Sequence, residues 1–592
     1  MALFVHPEDG RYQELTGKEV KVPLFGQTVP ILADPGADPN KGTGAVMCCT
    51  FGDTADVQWW QTHNLPLVEA IARDGRMTLA AGPFQDLTTA EARRQIIAKT
   101  VEEGVLLDER PLTHSVRVHE RCDTVVEYIV TDQWFIRLLD FKEEFLAAGD
   151  QVAWHPPHMR TRYRQWVENL NWDWGISRQR YFGVPFPLWY CDGCHEIITA
   201  GEEDLPVDPL SIQPDGPCPT CGGQSFRAEG DVMDTWATSS LSPQIVGRWL
   251  DDPELYQRVF PFSCRPQAHE IIRTWAFYTI VKSHHQFESV PWRNAMISGW
   301  GLSPAGKIKL SKSRGGGGAG PLAMIEEHSA DAVRYWAAST GLGKDAVIKE
   351  ERIQAGAKLV NKIWNVARFS GRFLEEFDPT VEISTFSPAD RWILARTHAL
   401  IARCTQLWRN YDYATAKSEV EVFFWRDLAD NYLEMVKKRF YDDIEPDGAR
   451  YVLYESLLAT VKLLAPILPH VTERIYQGLF AERDGADSIH RARWPEVDEL
   501  WLDEEAVGLG DTLMAVATAV RRYKSDNNLS LGAELAELQL STSDSKLASS
   551  LRDAELDLKS ITRANRIAVD DVLNLQLEDI GTAGELHVAV SV

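Results

Sequence analysis

The chain has no apolar run that reaches the roughly 18 residues needed to span a bilayer. Its first residues, Met1 to Pro7, carry neither the basic nor the apolar stretch of a signal peptide. A cytoplasmic location, with no membrane partner, is the default expectation. Positive charge is short too. Lys and Arg total 61 against 86 Asp and Glu, a net charge of -25. A generic nucleic-acid coat would be basic, so that class is disfavoured, although a local basic patch on an acidic body can still hold RNA. Lys437-Lys438-Arg439 and Arg521-Arg522-Tyr523-Lys524 are the candidates; the alternative is that each is a solvated helix face. Cysteine is sparse as well. Nine in 592 residues do not make a disulfide framework, and Cys48, Cys49, Cys122, Cys264 and Cys404 are scattered. There are no internal repeats, and no low-complexity segment beyond one glycine run.

What is present begins with the other four cysteines. Cys191-Asp-Gly-Cys194 and Cys218-Pro-Thr-Cys221 are two knuckles separated by 23 residues. Each turns tightly enough for two thiolates to face one ion, and four thiolates suit tetrahedral Zn²⁺. With four protein ligands the site is closed, which makes the expected zinc structural. Twenty tryptophans imply large cores or aromatic-lined pockets.

At this length several domains are expected. Residues 1 to about 135 read as mixed α/β. Short strands are expected at Val20 to Leu24, Val29 to Leu32 and Ala45 to Cys49, and a helix from Thr88 to Glu103 opened by a Thr-x-x-Glu capping box. Residues 136 to 260 are rich in Trp, Arg and Pro and hold the cysteine pairs. Residues 261 to 335 alternate strand, helix and loop in the manner of a nucleotide-binding α/β unit. From Glu350 to Phe480 long amphipathic helices follow, broken near Pro379, Asp443 to Asp447 and Pro466. The last stretch has a helix around Leu513 to Ser525 and strands at Leu535 to Leu540 and Leu586 to Val592.

Lys309-Leu-Ser-Lys-Ser313, followed by Arg314 and the glycines Gly315 to Gly318, puts phosphate-holding side chains on a glycine-flanked loop. It resembles the Lys-Met-Ser-Lys-Ser signature of class I aminoacyl-tRNA synthetases, with Leu for Met. Further segments, in order, resemble the valyl-tRNA synthetase family. They are Asn171 to Arg180, Asp231-Val-Met-Asp-Thr-Trp236 with Ser239 and Ser240, Gln267 to Arg273, and Met296-Ile-Ser-Gly-Trp300. Leu359 to Asn365 and Ala465 to Glu473 resemble the anticodon-binding domain shared by the valyl, isoleucyl and leucyl enzymes. The sequence departs from the family at Gly175, where Cys is usual, at Glu270, where Asp is usual, and in the glycine run itself.

The resemblance implies a multidomain fold. Residues 1–135 form a partial α/β editing domain. Residues 136–349 are the C-terminal part of a class I catalytic domain, a Rossmann-like α/β nucleotide-binding half with a zinc ribbon at 191–221 and the signature loop at 309–313. An α-helical anticodon-binding bundle follows at 350–500, then a small α+β domain at 505–592. The implied activity is ATP-dependent attachment of valine to tRNA(Val) through valyl-adenylate, by a monomer acting on ATP with Mg²⁺; isoleucyl or leucyl specificity is the enzyme alternative. A tRNA-binding fragment or paralogue without ligase activity is the non-enzyme one.

By resemblance Lys309, Ser311, Lys312 and Ser313 steady the phosphates as charge develops on them. Lys312, Glu270, His269, Gly299 and Trp300 contact or support ATP, Glu270 through the ribose and His269 as a packing or supporting residue instead of a base. Asp234 and Trp236 serve the amino-acid pocket, one for the ammonium group and one as an indole wall; plain core is the other reading of Trp236. The N-terminal segments His6 to Tyr12, Gly42 to Val46 and Phe51 to Asp56 resemble the second half of the family's editing insertion. There Asp56 matches the carboxylate for the substrate ammonium, Asp53 is its alternative, and Thr43 lies beside the substrate; ordinary turn chemistry is the competing reading. The family's His-x-Gly-His and Thr-Thr-Arg-Pro-Glu motifs are not found in this sequence. The expectation is a chain that starts inside the editing domain. In the bundle, Trp364, Trp425 and Tyr432 are read as core more than as stacking platforms for RNA.

Overall fold

A computed structural model describes the chain apart from residues 50, 53, 110–112, 114, 120, 121, 305–319, 376, 384, 573–576, 584, 585 and 592. It divides into two compact units, one of residues 1–136 with 175–177, the other of 137–174 with 178–592.

The first unit is built on a four-stranded sheet of β1 (Ala2–Val5), β2 (Glu19–Lys21), β3 (Thr28–Ala33) and β4 (Ala45–Cys48), in the order β2-β3-β1-β4. β1 runs parallel to β3 and antiparallel to β4, with Phe4 opposite both Leu32 and Val46. The sequence pattern had indicated β2 to β4 but not β1, four residues with no polar alternation to mark them. Helix α1 (Thr54–His63) lays Trp59 on the sheet, stacked on the buried Phe4 ring at 4.5 Å. Helix α2 (Thr89–Glu102) starts as its capping box dictates. The Glu91 N–H donates to Thr88 Oγ1 at 3.3 Å, and the Thr88 N–H donates to Glu91 Oε2 at 3.0 Å.

The second unit opens on a three-stranded parallel sheet. Trp292–Ser298 lies in the middle, between Phe262–Ala268 and Ala153–His155. Helix Phe277–Phe287 connects the first two of these as a βαβ crossover. It buries Phe277, Ile280 and Val281, while Trp275 just before it stacks on the buried Trp292 at 5.2 Å. An antiparallel ribbon of Ile197–Thr199, Leu188–Cys191 and Phe226–Ala228 carries the cysteine pairs.

The helices of the bundle are Glu350–Leu374, Pro388–Arg409, Tyr413–Val422, Leu433–Tyr441, Pro446–Leu464 and Pro469–Leu479. Their breaks fall where the sequence places prolines and the Asp443 to Asp447 turn. A long helix, Glu504–Asp526, then leads to a mixed sheet with strand order Ala564–Asp570, Leu535–Ser541, Leu586–Ser591, Glu578–Ala583. One apolar core runs unbroken from the bundle into this sheet, from Leu359 and Trp392 through Leu513 to Leu538 and Val588. Helix Glu504–Asp526 presses so closely that a Cβ on Gly510 would lie 1.9 Å from Trp392 Cγ.

The two basic clusters are only partly solvated faces: Lys438 and Arg522 are exposed, but each cluster also has a buried member. Arg439 is buried and donates to Asp390 Oδ2 at 2.8 Å and to Ser387 Oγ at 3.1 Å. Lys437 pairs with Glu434. Lys524 is buried and donates to the carbonyls of Ala533 at 2.6 Å, Thr562 at 2.9 Å and Leu531 at 3.3 Å. Buried charges need partners of this kind, and these have them. Tyr432 is fully buried with its hydroxyl on Asp390, Trp425 lies half-buried beneath Lys362, and Trp364 is 40% exposed. No helix among the described residues is long and apolar enough to cross a membrane.

Candidate functional site

Open parallel sheets bind ligands beyond the carboxyl ends of their strands, because side chains there project from rigid strands into a crevice. In this sheet those ends are Ala268 and Ser298. His269 and Glu270 follow the first; Gly299 and Trp300 follow the second. The Trp300 indole N–H donates to Glu270 Oε2 at 3.1 Å. The His269 ring lies 4.7 Å from the Trp300 ring, and Arg162 donates to His269 Nδ1 at 3.2 Å. That donor assigns Nδ1 as the acceptor, which leaves the ring proton on Nε2. Nε2 faces Asp345 at 3.7 Å. Gly299 sits where no side chain fits: a Cβ would lie 2.3 Å from the Lys344 carbonyl oxygen. The four described residues that the family resemblance assigns to ATP are thus gathered at one place. Arg162 and Asp345 join them, and neither lies in any of the motifs. Just upstream on the same strand, Gln267 is 8% exposed, and neither atom of its side-chain amide has a hydrogen-bond partner among the described residues. A buried amide left in this state costs stability.

Lys309, Ser311, Lys312 and Ser313 lie outside the described residues, as does Asp53. The described chain reaches Pro304 on one side of that loop and resumes at Gly320 on the other.

Asp234 is 6% exposed and precedes the short helix Thr235–Ser239, on which Trp236 is half-buried. Its Oδ1 lies 3.3 Å from the Arg178 guanidinium, and its Oδ2 has no hydrogen-bond partner among the described residues. Trp174 stacks on Tyr278 at 3.8 Å. Burial first, and the Asp234 charge second, push the Tyr278 hydroxyl above its ordinary pKa. The arrangement is a buried carboxylate with one open oxygen and an aromatic pair near by. Sequence reasoning named Asp234 and Trp236 but not Arg178 or Tyr278, whose partners are distant in the chain.

The cysteine ribbon closes on itself. Cys191 Sγ lies 3.5 Å from Cys221 Sγ, Cys194 Sγ lies 3.6 Å from Cys218 Sγ, and all four sulfurs fall within 4.8 Å of one another. These separations exceed a disulfide bond of about 2.05 Å. They approach the roughly 3.8 Å edge of a tetrahedron with Zn–S bonds of about 2.3 Å. Backbone N–H groups, that of Cys221 foremost, hold the Cys218 thiol down to about 7. Against the Glu196 N–H, the neighbouring thiols push Cys194 up to about 12, and Cys221 is raised as well, the mutual opposition that a shared cation would relieve. The donor set and geometry fit zinc.

In the first unit Thr43 and Asp56 are not neighbours along the sheet. Thr43 is exposed just before β4, its carbonyl accepting from the Tyr12 hydroxyl at 2.7 Å. Asp56 is buried near the other end of β4, where Cys48 Sγ donates to its carbonyl. Thr43 precedes β4 while Cys48 ends it, and the four-residue strand between them rises about 3.3 Å per residue. Asp56 Oδ2 accepts the Gly52 N–H at 2.7 Å, the work of a carboxylate at a helix start.

Comparison with known proteins completes the site. Residues 13–349 match the family model of tRNA synthetases class I (I, L, M and V), and residues 390–540 match that of the anticodon-binding domain of tRNA ligase. A valine--tRNA ligase of Methanopyrus kandleri is 42% identical over 588 residues, 96% of this chain and 63% of that protein. One of Thermococcus kodakarensis is 42% identical over 557 residues, 92% of this chain and 62% of that protein. One of Rickettsia conorii is 39% identical over 592 residues, 96% of this chain and 71% of that protein. The chain thus spans a little over three fifths of the length of the first two.

Proposed function

The chain belongs to the valine--tRNA ligase family within the class I tRNA synthetases (I, L, M and V), and on that premise we propose that it serves ATP-dependent attachment of valine to its tRNA. In the first step the valine carboxylate attacks the α-phosphate of ATP; the bond to the β-phosphate breaks and pyrophosphate leaves, forming valyl-adenylate. In the second, a hydroxyl at the 3′ end of tRNA attacks the acyl carbon and AMP leaves. Glu270 accepts the ribose hydroxyls. Asp234 takes the valine ammonium, with Trp236 and the Trp174–Tyr278 pair walling the side chain. Lys309 and Lys312, with Ser311 and Ser313, offset the charge that develops on the phosphates. ATP is expected as its Mg²⁺ complex. The observation that carries this reading is the cluster of Glu270, Trp300, His269 and Gly299 at the ends of two parallel strands.

The ribbon would hold one Zn²⁺ on Cys191, Cys194, Cys218 and Cys221. Four thiolates leave no position for a reacting water, so the metal there supplies folding energy and not chemistry. In the first unit we place hydrolytic editing of mischarged threonine, with Asp56, Asp53 and Thr43 as candidates. A hydrophobic pocket rejects threonine only about 10²-fold, the handicap of valine enzymes that editing corrects. The bundle is read as the surface for tRNA.

Pyrophosphate exchange into ATP with valine, isoleucine and leucine tests the assignment. Exchange with valine alone is expected. Exchange with isoleucine or leucine instead would move the specificity. No exchange with any of them, beside retained tRNA binding, would make this chain a tRNA-binding protein without ligase activity of its own. The chain's share of its relatives' length gives that second reading its standing.

A further inference from the structure

Trp300 is held from both sides by a segment far along the chain. Its backbone N–H donates to Asp345 Oδ1 at 2.8 Å, across 45 residues, and its carbonyl accepts the Ala346 N–H at 2.8 Å. Gly343 N–H reaches the Ile297 carbonyl in the same way at 2.8 Å, and the short strands Gly301–Leu302 and Ala346–Val347 continue the pairing in parallel. The contact is tight enough to exclude any side chain at position 299, where a Cβ would also lie 2.5 Å from Asp345 Oδ1. The same carboxylate faces His269 Nε2 at 3.7 Å. Asp345 therefore touches the residues on either side of Glu270, Trp300 through its main chain and His269 through its ring. Its side chain is 40% exposed, so it is not there to fill a core.

We propose that Asp345 is a positioning residue for the nucleotide: it clamps the Trp300 peptide so that the indole N–H meets Glu270, and thereby sets the carboxylate that takes the ribose. The inference rests on reading Glu270 as the ribose ligand. The chemistry favours a carboxylate for this task. An ionised acceptor makes a shorter, stronger bond to a backbone N–H than a neutral one, and the negative charge also orients the imidazole N–H of His269.

Equilibrium binding of ATP, read by calorimetry on the full chain, tests this with Glu270→Gln, Asp345→Asn, Asp345→Ala and the double variant Glu270→Gln/Asp345→Ala. Loss of one charge-assisted contact predicts about tenfold weaker ATP for Glu270→Gln and for Asp345→Ala. Asp345→Asn keeps an oxygen for the Trp300 N–H and is expected within about threefold of wild type. The double variant is expected to bind no more than about twofold worse than the weaker single one, because residues acting in one chain of contacts are not additive. Unchanged affinity in Asp345→Ala overturns the proposal. So do additive losses in the double variant, which a general structural role would produce. If wild type binds no ATP, or Glu270→Gln binds as wild type does, the ribose reading itself fails and the inference falls with it.

Discussion

The ionic cluster inside the bundle and the polar cluster at the ends of the parallel sheet use similar residues, but only the first is filled. In the bundle, Arg439 and Asp390 are almost wholly buried; Ser387 is bonded to both, and the Tyr432 hydroxyl donates to Asp390. The Ser387 hydroxyl also donates to Asp557 Oδ2 at 2.8 Å. Only Asp557 Oδ1 lacks a hydrogen bond, and it lies 3.9 Å from the Arg439 guanidinium. At the sheet, Gln267 is buried with both amide atoms open, and Asp234 keeps one open oxygen. A closed network pins helices to one another; an open one carries a cost in the ligand-free protein that a ligand can repay. The difference separates structural polar groups from functional ones more sharply than residue type does.

The hardest test of the comparison is to remove one member of the closed network. Arg439→Met leaves Asp390 buried without its cation, which should cost about 3–5 kcal/mol. Urea unfolding would measure it, and a loss below about 1 kcal/mol would place the cluster among dispensable surface pairs. Next comes packing beside it. Gly510→Ala drives a methyl into Trp392 and should cost about 1–3 kcal/mol by the same measurement, as overpacked cores do.

A smaller effect concerns pH. Burial first, then the nearby Asp390 charge, push the Asp557 carboxyl up to about 7. Between its unfolded value near 4 and this one, the folded state holds the proton and the unfolded state does not. Stability from this group is therefore full at acid pH and is lost as pH rises through about 7. Thermal midpoints across that range should fall for wild type and flatten for Asp557→Asn. The smallest effect has the opposite sign. Gln267→Leu removes an unsatisfied buried amide, so it should leave stability unchanged or raise it by about 1 kcal/mol while weakening ATP binding. A destabilised variant with normal ATP affinity would put Gln267 with the structural groups and erase the distinction.

Local features were legible before the fold was. The Thr88–Glu91 box starts α2 as its spacing says, because a capping box needs only four consecutive residues. The four cysteines converge because each knuckle is a local turn and the ribbon needs only one pairing of strands. Helix breaks in the bundle follow Pro and turn residues. The basic clusters misled for the opposite reason. A run of Lys and Arg shows charge, but which side of the helix faces a buried carboxylate depends on Asp390, 49 residues away from Arg439, and on carbonyls around Lys524 from two other segments, Leu531 with Ala533 and Thr562.

By itself the sequence determined the family of this protein, the convergence of its four paired cysteines and the helical character of its second half. Those depend on residue identity at short spacing, which the backbone's own geometry converts into turns, caps and faces. Tertiary structure decided which charges are partners and which are open. It buried Arg439 and Lys524, left Gln267 and one Asp234 oxygen without partners, and brought Asp345 to Trp300. Such outcomes turn on contacts between segments tens of residues apart, and no local spacing encodes the distance at which they meet.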